Sequence, residues 1–356
     1  MKRTMLGAIA LAIMSACGTL HRPAQFELAT PMQLKAIEPV LVNRAGQLSP
    51  TEMSSFVVTG CDVLDLHYGS FDASAQHRCQ FAIVEPKKDV AVRGVCVLLP
   101  GIIGLHSSPS TARALCDDGW HVLIVAPPLV KCVLETMRTC GSAPLRERGV
   151  AVAKEFDRVV DAMSYGTTMH LLTMVKQSPQ LSGKPVLLVG ESMGALVGVG
   201  LAASGVVPFD AALFVAGGGS LLDVVGSSSI RRLAFGDLPI NDPEFRAGFA
   251  AAVTSEPLMA AETLRSAPIV LLTARDDIIV PAQTQDALWM ALGQPPRYIY
   301  DGGHISLFVG ASITVVPVIR EIAEKVGTKG VAANALFAMA LAPKIESAAD
   351  PASPLP

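Results

Sequence analysis

Residues Pro185–Ala203 read PVLLVGESMGALVGVGLAA. The opening PVLLV is apolar at every position, which suits a parallel strand covered on both faces. The closing ALVGVGLAA is a run of small and apolar residues and reads as a buried helix. Between them stands Gly190-Glu191-Ser192-Met193-Gly194. A strand that turns this sharply into a helix forces its central residue into a strained backbone conformation. Glycines on either side let strand and helix approach closely. Ser192 then points out from the sheet edge, with a helix N-terminus behind it that favours developing negative charge.

The same apolar grammar recurs on both sides. Gly94–Leu99 (GVCVLL), His121–Ala126 (HVLIVA), Ala212–Ala216 (ALFVA), Pro268–Thr273 (PIVLLT) and Arg297–Tyr300 (RYIY) read as further strands. Helices are expected between them. One follows Ser107, Ser108 and Ser110 and ends near Gly119. Another runs from Arg148 to Lys176 with a break near Ser164–Gly166. Two more cover Pro281–Leu292 and Ser312–Lys325, with Pro317 setting the start of the last. Strand–helix alternation over about 230 residues predicts an α/β fold, a mostly parallel sheet flanked by helices on both faces. Short strand patterns at Phe56–Thr59, Leu64–Tyr68 and Gln80–Glu85 add an antiparallel edge. Residues 221–266 are too long for a plain crossover and read as a small helical lid.

A serine hydroxyl needs a base, and the base needs a carboxylate. Among His21, His67, His77, His106, His121, His170 and His304, only His304 lies in a loop after the last strand, in Asp301-Gly302-Gly303-His304. His106 follows the GVCVLL strand and is expected to line a pocket. The PIVLLT strand ends in Ala274-Arg275-Asp276-Asp277, which brings a carboxylate beside the histidine loop. The order Ser192, Asp277, His304 differs from that of chymotrypsin-type and subtilisin-type chains.

In these features the segment from Gly94 to Lys325 resembles the α/β-hydrolase superfamily, and among its members esterases and lipases. GESMG is similar to its nucleophile elbow, ARDDIIVP to its acid loop and GGH to its histidine loop. The acid-loop likeness places the acid at Asp277 and not Asp276, with Ala274 where glycine is usual. Leu99-Pro100-Gly101-Ile102-Ile103-Gly104 resembles the oxyanion loop, with Pro100 where histidine is common. The resemblance implies a serine hydrolase that cleaves carboxylic esters with no cofactor and no metal, with oxyanion donors at the backbone of Ile102 and Met193. The apolar lid, including Leu221, Leu222, Leu258 and Met259, suggests an apolar acyl group. Peptidase, thioesterase or acyltransferase chemistry is the alternative on the same fold, as is a binding or structural lipoprotein without catalysis.

The N-terminus has its own signature. Lys2 and Arg3 precede the apolar run Met5–Met14, followed by Ser15-Ala16-Cys17. This resembles a bacterial lipoprotein signal, in which Cys17 becomes the lipidated first residue. About ten apolar residues fall short of the roughly 20 that span a bilayer. The expected organisation is a signal peptide at 1–16, a tether at 17–53, the main domain at 54–328 and a C-terminal extension at 329–356 ending in disorder. Export to the periplasmic side of a membrane or the cell surface follows. Gly18 is not the Asp that often retains lipoproteins at the inner membrane. In an oxidising compartment the six further cysteines allow 15 pairings. Cys132–Cys140 is the first expected pair and Cys61–Cys79 the second, while Cys96 reads as a buried thiol. Charged residues make up only 17% of the chain and its formal charge is −3, with no basic stripe, so nothing points to a nucleic-acid partner.

Overall fold

The computed structural model describes residues 18–30, 66–74, 77–102 and 109–327. The signal segment, Cys17, Cys61, the Phe56–Thr59 strand pattern, His106 and the C-terminal extension lie outside them. Among the described residues the sheet has nine strands, in the order β1-β9-β8-β7-β6-β4-β5-β3-β2. These are β1 (Leu20–His21), β2 (Leu66–Ser74), β3 (His77–Val84), β4 (Gly94–Leu99), β5 (Trp120–Ala126), β6 (Val186–Glu191), β7 (Ala211–Val215), β8 (Ile269–Ala274) and β9 (Arg297–Tyr300). The run from β5 through β4, β6, β7 and β8 to β9 is parallel. The β2–β3 hairpin joins β5 antiparallel and forms one edge, as expected.

The two-faced strands work by alternation. Val95, Val97, Leu99, Leu188 and Phe214 feed one core. Their neighbours Cys96, Leu98, Leu187, Val189 and Leu213 feed the other. Helices α1 (Pro109–Asp117) and α11 (Val315–Val326) cover the second core. The first is covered by α2 (Leu129–Cys140), α3 (Leu145–Gln177), α4 (Met193–Ser204) and α9 (Ala282–Ala291). The long α3 is continuous through Ser164–Gly166, where a break is expected from sequence. Ser164 Oγ donates to the Val160 carbonyl within the helix, so its hydroxyl is satisfied without breaking the ladder.

Two further expectations fail for clear physical reasons. Cys132 and Cys140 stand on one helix, α2, eight residues apart, about 12 Å of rise. A disulfide needs Cα atoms roughly 4.4–6.8 Å apart, and both cysteines are free thiols. Pro127 and Pro128 fill the short step between β5 and this helix, with Pro128 at its N-cap. The start of the expected tether is no tether. Gly18 packs on Tyr300 and Asp301, β1 pairs with β9, and Arg22 meets Glu321 at 3.2 Å. Lys325 Nζ donates to the Phe26 carbonyl and lies over its ring.

Between β7 and β8 lie four short helices: α5 (Leu221–Ser227), α6 (Arg231–Phe235), α7 (Pro243–Ala250) and α8 (Pro257–Ala260). Among the described residues no helix is long and apolar enough to cross a membrane. His170 is buried on α3 against Phe81, ring centroids 3.8 Å apart, and burial lowers its pKa to about 4. Between pH 6.5 and about 4 the unfolded chain takes up a proton that the folded chain refuses. Stability is therefore fully present above this window and falls as pH drops through it, by about 3 kcal/mol. Denaturant midpoints at pH 7 and pH 4.5 should differ more in the parent than in His170→Gln. An equal difference in both would sink this assignment.

Candidate active site

Strand order decides where the site lies. The chain runs from β4 to β5 on one side of β4, then to β6 on the other, which makes a crevice beyond the strands' carboxyl ends. Leu99 on β4 faces Gly190 on β6, so Gly101 and Ile102 emerge beside Ser192. A Cβ on Gly101 would lie 3.3 Å from Ser192 Cβ.

Ser192 has φ 55° and ψ −115°, a left-handed conformation costly for any residue but glycine. The turn is held from three sides. Ser192 N–H donates to the Val215 carbonyl at 2.8 Å, and the amides of Ala195 and Leu196 donate to the Ser192 carbonyl. A Cβ on Gly194 would stand 1.9 Å from the Leu99 carbonyl oxygen, and one on Gly190 would stand 2.7 Å from the Gly194 carbonyl oxygen. Only glycine fits at either position.

Asp277 and His304 sit on one zipped unit. Arg275 N–H donates to the Tyr300 carbonyl and Asp276 N–H to the Gly302 carbonyl, joining the exits of β8 and β9. Arg275 also pairs with Asp301 at 2.6 Å. Asp277 is buried. Its Oδ1 accepts from the amides of Ile279 and Val280 at 2.8 and 2.7 Å. Its Oδ2 lies 2.7 Å from His304 Nδ1, and His304 Nε2 lies 2.9 Å from Ser192 Oγ. A carboxylate can only accept, so Nδ1 carries the proton and Nε2 is free to accept from the serine hydroxyl. The three residues expected from sequence thus form one hydrogen-bonded chain. His304 opens a short helix, α10 (His304–Val309), and is not a loop residue. This seats Phe308 four residues on against its ring, at 5.0 Å.

The cleft over this chain has a volume of about 520 Å³. Val224, Val225, Phe235, Ile279, Phe308 and Val309 line it, with Ile102 and Met193 at the Ser192 end. Leu221 also lines it. Leu258 and Met259, expected in the pocket, do not. Leu258 packs over Gly219, beside Leu288, and Met259 is exposed. His106 lies outside the described residues. No cluster of His, Cys, Asp or Glu among the described residues could hold a metal ion.

Sequence reading missed Gln285, a fully buried residue on α9. Its Oε1 accepts from Ala274 N–H. Its Nε2 donates to the Val280 carbonyl at 2.7 Å and lies 3.4 Å from Asp277 Oδ2. Gln285 therefore clamps both ends of the acid loop. A glutamine eight residues beyond the acid, on the inner face of a helix, was the available signal. Gln285→Leu would leave the buried Ala274 amide and Val280 carbonyl without this partner, each costing about 1–3 kcal/mol. We expect a lower melting temperature and a reduced kcat, measured on the purified variant; unchanged values would show that the clamp is dispensable. Sequence reading also missed the link from Thr111 Oγ1 to buried Glu191, 3.1 Å, which ties α1 to the serine turn.

No protein-family model and no curated relative matches the sequence. Solved structures do. Acetyl xylan esterase 1 from Thermoanaerobacterium sp. JW/SL YS485 is similar at 13% identity and a TM-score of 0.52, over 83% of this chain and 96% of that one. A cold-adapted esterase from an Arctic intertidal metagenomic library is similar at 13% identity and a TM-score of 0.49, over 77% and 99%. Acylaminoacyl peptidase from Pyrococcus horikoshii is similar at 15% identity and a TM-score of 0.48, over 77% of this chain but only 44% of that one. The chain thus spans under half the length of that peptidase. With its strand order, its serine turn after β6 and its likeness to the acetyl xylan esterase, this chain has the α/β-hydrolase fold.

Proposed function

We propose that the protein is an exported serine hydrolase that cleaves carboxylic esters, anchored to a membrane by a lipid on Cys17. The observation that carries the catalytic reading is the continuous chain from Ser192 Oγ through His304 to Asp277 at the floor of an apolar cleft. Ser192 Oγ attacks the ester carbonyl carbon as its proton passes to His304 Nε2. Asp277 holds the imidazole in place and stabilises the imidazolium. The backbone N–H groups of Ile102 and Met193 receive the developing oxyanion, where each donor contributes about 2.7–4 kcal/mol. Nε2–H then protonates the departing alkoxide, leaving an acyl group on Ser192. A water, deprotonated by His304, releases the acid and restores the serine.

The lining supports an apolar acyl group, since Val224, Val225, Phe235 and Phe308 offer it no hydrogen-bond donor or acceptor beyond the backbone. For p-nitrophenyl esters from acetate to octanoate, kcat/KM should climb by up to about fourfold per added methylene until the cleft is filled. A series that is flat, or that falls from acetate onward, removes the acyl-pocket assignment while leaving ester hydrolysis standing.

A further inference from the structure

The register of one short strand orients the whole molecule. Leu20 pairs with Tyr300 and His21 with Ile299, antiparallel. Going back from His21 to Gly18, the chain therefore travels toward the carboxyl end of β9. It leaves the described fold beside Asp301, three residues before His304. The N-terminal segment with its Cys17 thus joins the domain at the end of the sheet that carries Ser192, Asp277 and His304.

That same end is apolar outside as well as inside the cleft. Leu233 is 89% exposed, Ile278 68% and Ile313 67%, and Ile305, Val309 and Ile102 are exposed beside them. Leu233 rises from the lid helix α6, Ile305 and Val309 from α10, and Ile313 from the turn after it. Ile278 belongs to the acid loop, whose carbonyl receives the Ser229 amide of the lid. Leu233, Ile305, Val309 and Ile102 line the cleft itself. Ile278 precedes the lining residue Ile279, and Ile313 lies beside Gly310, next to Val309 in the chain. Met290 is as exposed, at 61%, but sits at the end of α9, which runs back from the acid loop toward the opposite end of the sheet. Large apolar side chains left exposed around one end of a domain mark a place of contact.

We propose that this rim is a membrane-docking surface, and that its occupant is the phospholipid bilayer to which the N-terminus is tied. The inference rests on the proposed anchor at Cys17 and deepens the ester reading. With the anchor and the cleft mouth on one end, the rim side chains enter the headgroup–acyl boundary, and esters reach Ser192 from the lipid phase without crossing water. An interfacial site of this kind binds by buried apolar area.

The test uses the full chain, purified from membranes in detergent and returned to phosphatidylethanolamine–phosphatidylglycerol vesicles with and without brominated phosphatidylcholine. Ile313→Trp is expected to be quenched by the brominated lipid beyond the unsubstituted chain, whose Trp120 and Trp289 set the background. Met290→Trp should show no quenching beyond that background. In parallel, Ile313→Asp should leave turnover of soluble p-nitrophenyl butyrate unchanged but lower turnover of vesicle-dissolved p-nitrophenyl palmitate by about tenfold. A chain that fails to float with the vesicles, or tryptophans quenched equally at 313 and 290, would overturn the proposal. Selective quenching at 313 in a chain that hydrolyses neither ester would uphold docking and remove the ester reading instead.

Discussion

Ser192→Ala and His304→Ala are each expected to lower kcat for a p-nitrophenyl ester by about 10⁴- to 10⁶-fold, and the double variant by hardly more. Ser192 Oγ has one basic partner, His304 Nε2 at 2.9 Å, and without it the neutral hydroxyl is a poor nucleophile. Without Ser192 the imidazole has nothing to activate but water. The two residues act as one unit, so their losses do not add. Ser192→Ala keeps the backbone turn and its bond to Val215, whereas His304→Ala takes the imidazole away from the buried Asp277 Oδ2, at a cost of about 1–3 kcal/mol. Ser192→Ala should therefore melt within a few degrees of the parent and His304→Ala lower, and steady-state kinetics on folded protein is the check. A fall of less than about tenfold in either would mean that another group does the chemistry.

Gly194→Ala should damage both stability and activity with a single methyl group. Its Cβ would stand 1.9 Å from the Leu99 carbonyl oxygen and 2.7 Å from that of Pro100. Both are backbone atoms, one at the end of a central strand, so neither can swing aside as a side chain would. Relief requires α4 to move off β4, which opens the packing of Gly198 on Phe214 and Leu99. Overpacking in a rigid core costs about 1–3 kcal/mol and sometimes more. We expect the upper end, a drop of about 10 °C in melting temperature, with activity lost further because the Ser192 turn moves. Gly141→Ala is the control. Gly141 has positive φ but open space around it, so it should cost only the left-handed backbone penalty, about 1–2 kcal/mol. Thermal melts of the two variants side by side decide whether the close approach is what matters.

The parallel strands were readable because each is apolar on both faces, a pattern that solvent-edge strands and amphipathic helices do not share. The three residues of the hydrogen-bonded chain were readable because each ends a strand and follows the chain order that the sheet requires. Other features failed for reasons of length and direction. A two-residue strand such as Leu20–His21 has no period to detect, and only its pairing with β9 shows that the N-terminal segment is part of the sheet. The lid is a series of helices of four to eight residues. In pieces that short, composition does not say which apolar side chain turns inward, so Leu258 and Met259 were expected where Val224, Val225 and Phe235 stand. The Cys132–Cys140 pairing fails because a short cysteine spacing does not show whether the residues between are helical, and here they form α2. Gln285 escaped notice because its work is done by hydrogen bonds to backbone and to a neighbour's carboxylate, which no local pattern displays.

The most direct test of the central claim is covalent labelling by a fluorophosphonate, read by mass spectrometry of the intact chain and its peptides. An activated serine attacks the phosphorus and expels fluoride. The account predicts one adduct per folded chain, located on Ser192, absent in Ser192→Ala and strongly slowed in His304→Ala. Folded parent protein that stays unlabelled, or an adduct that persists in Ser192→Ala, would contradict it.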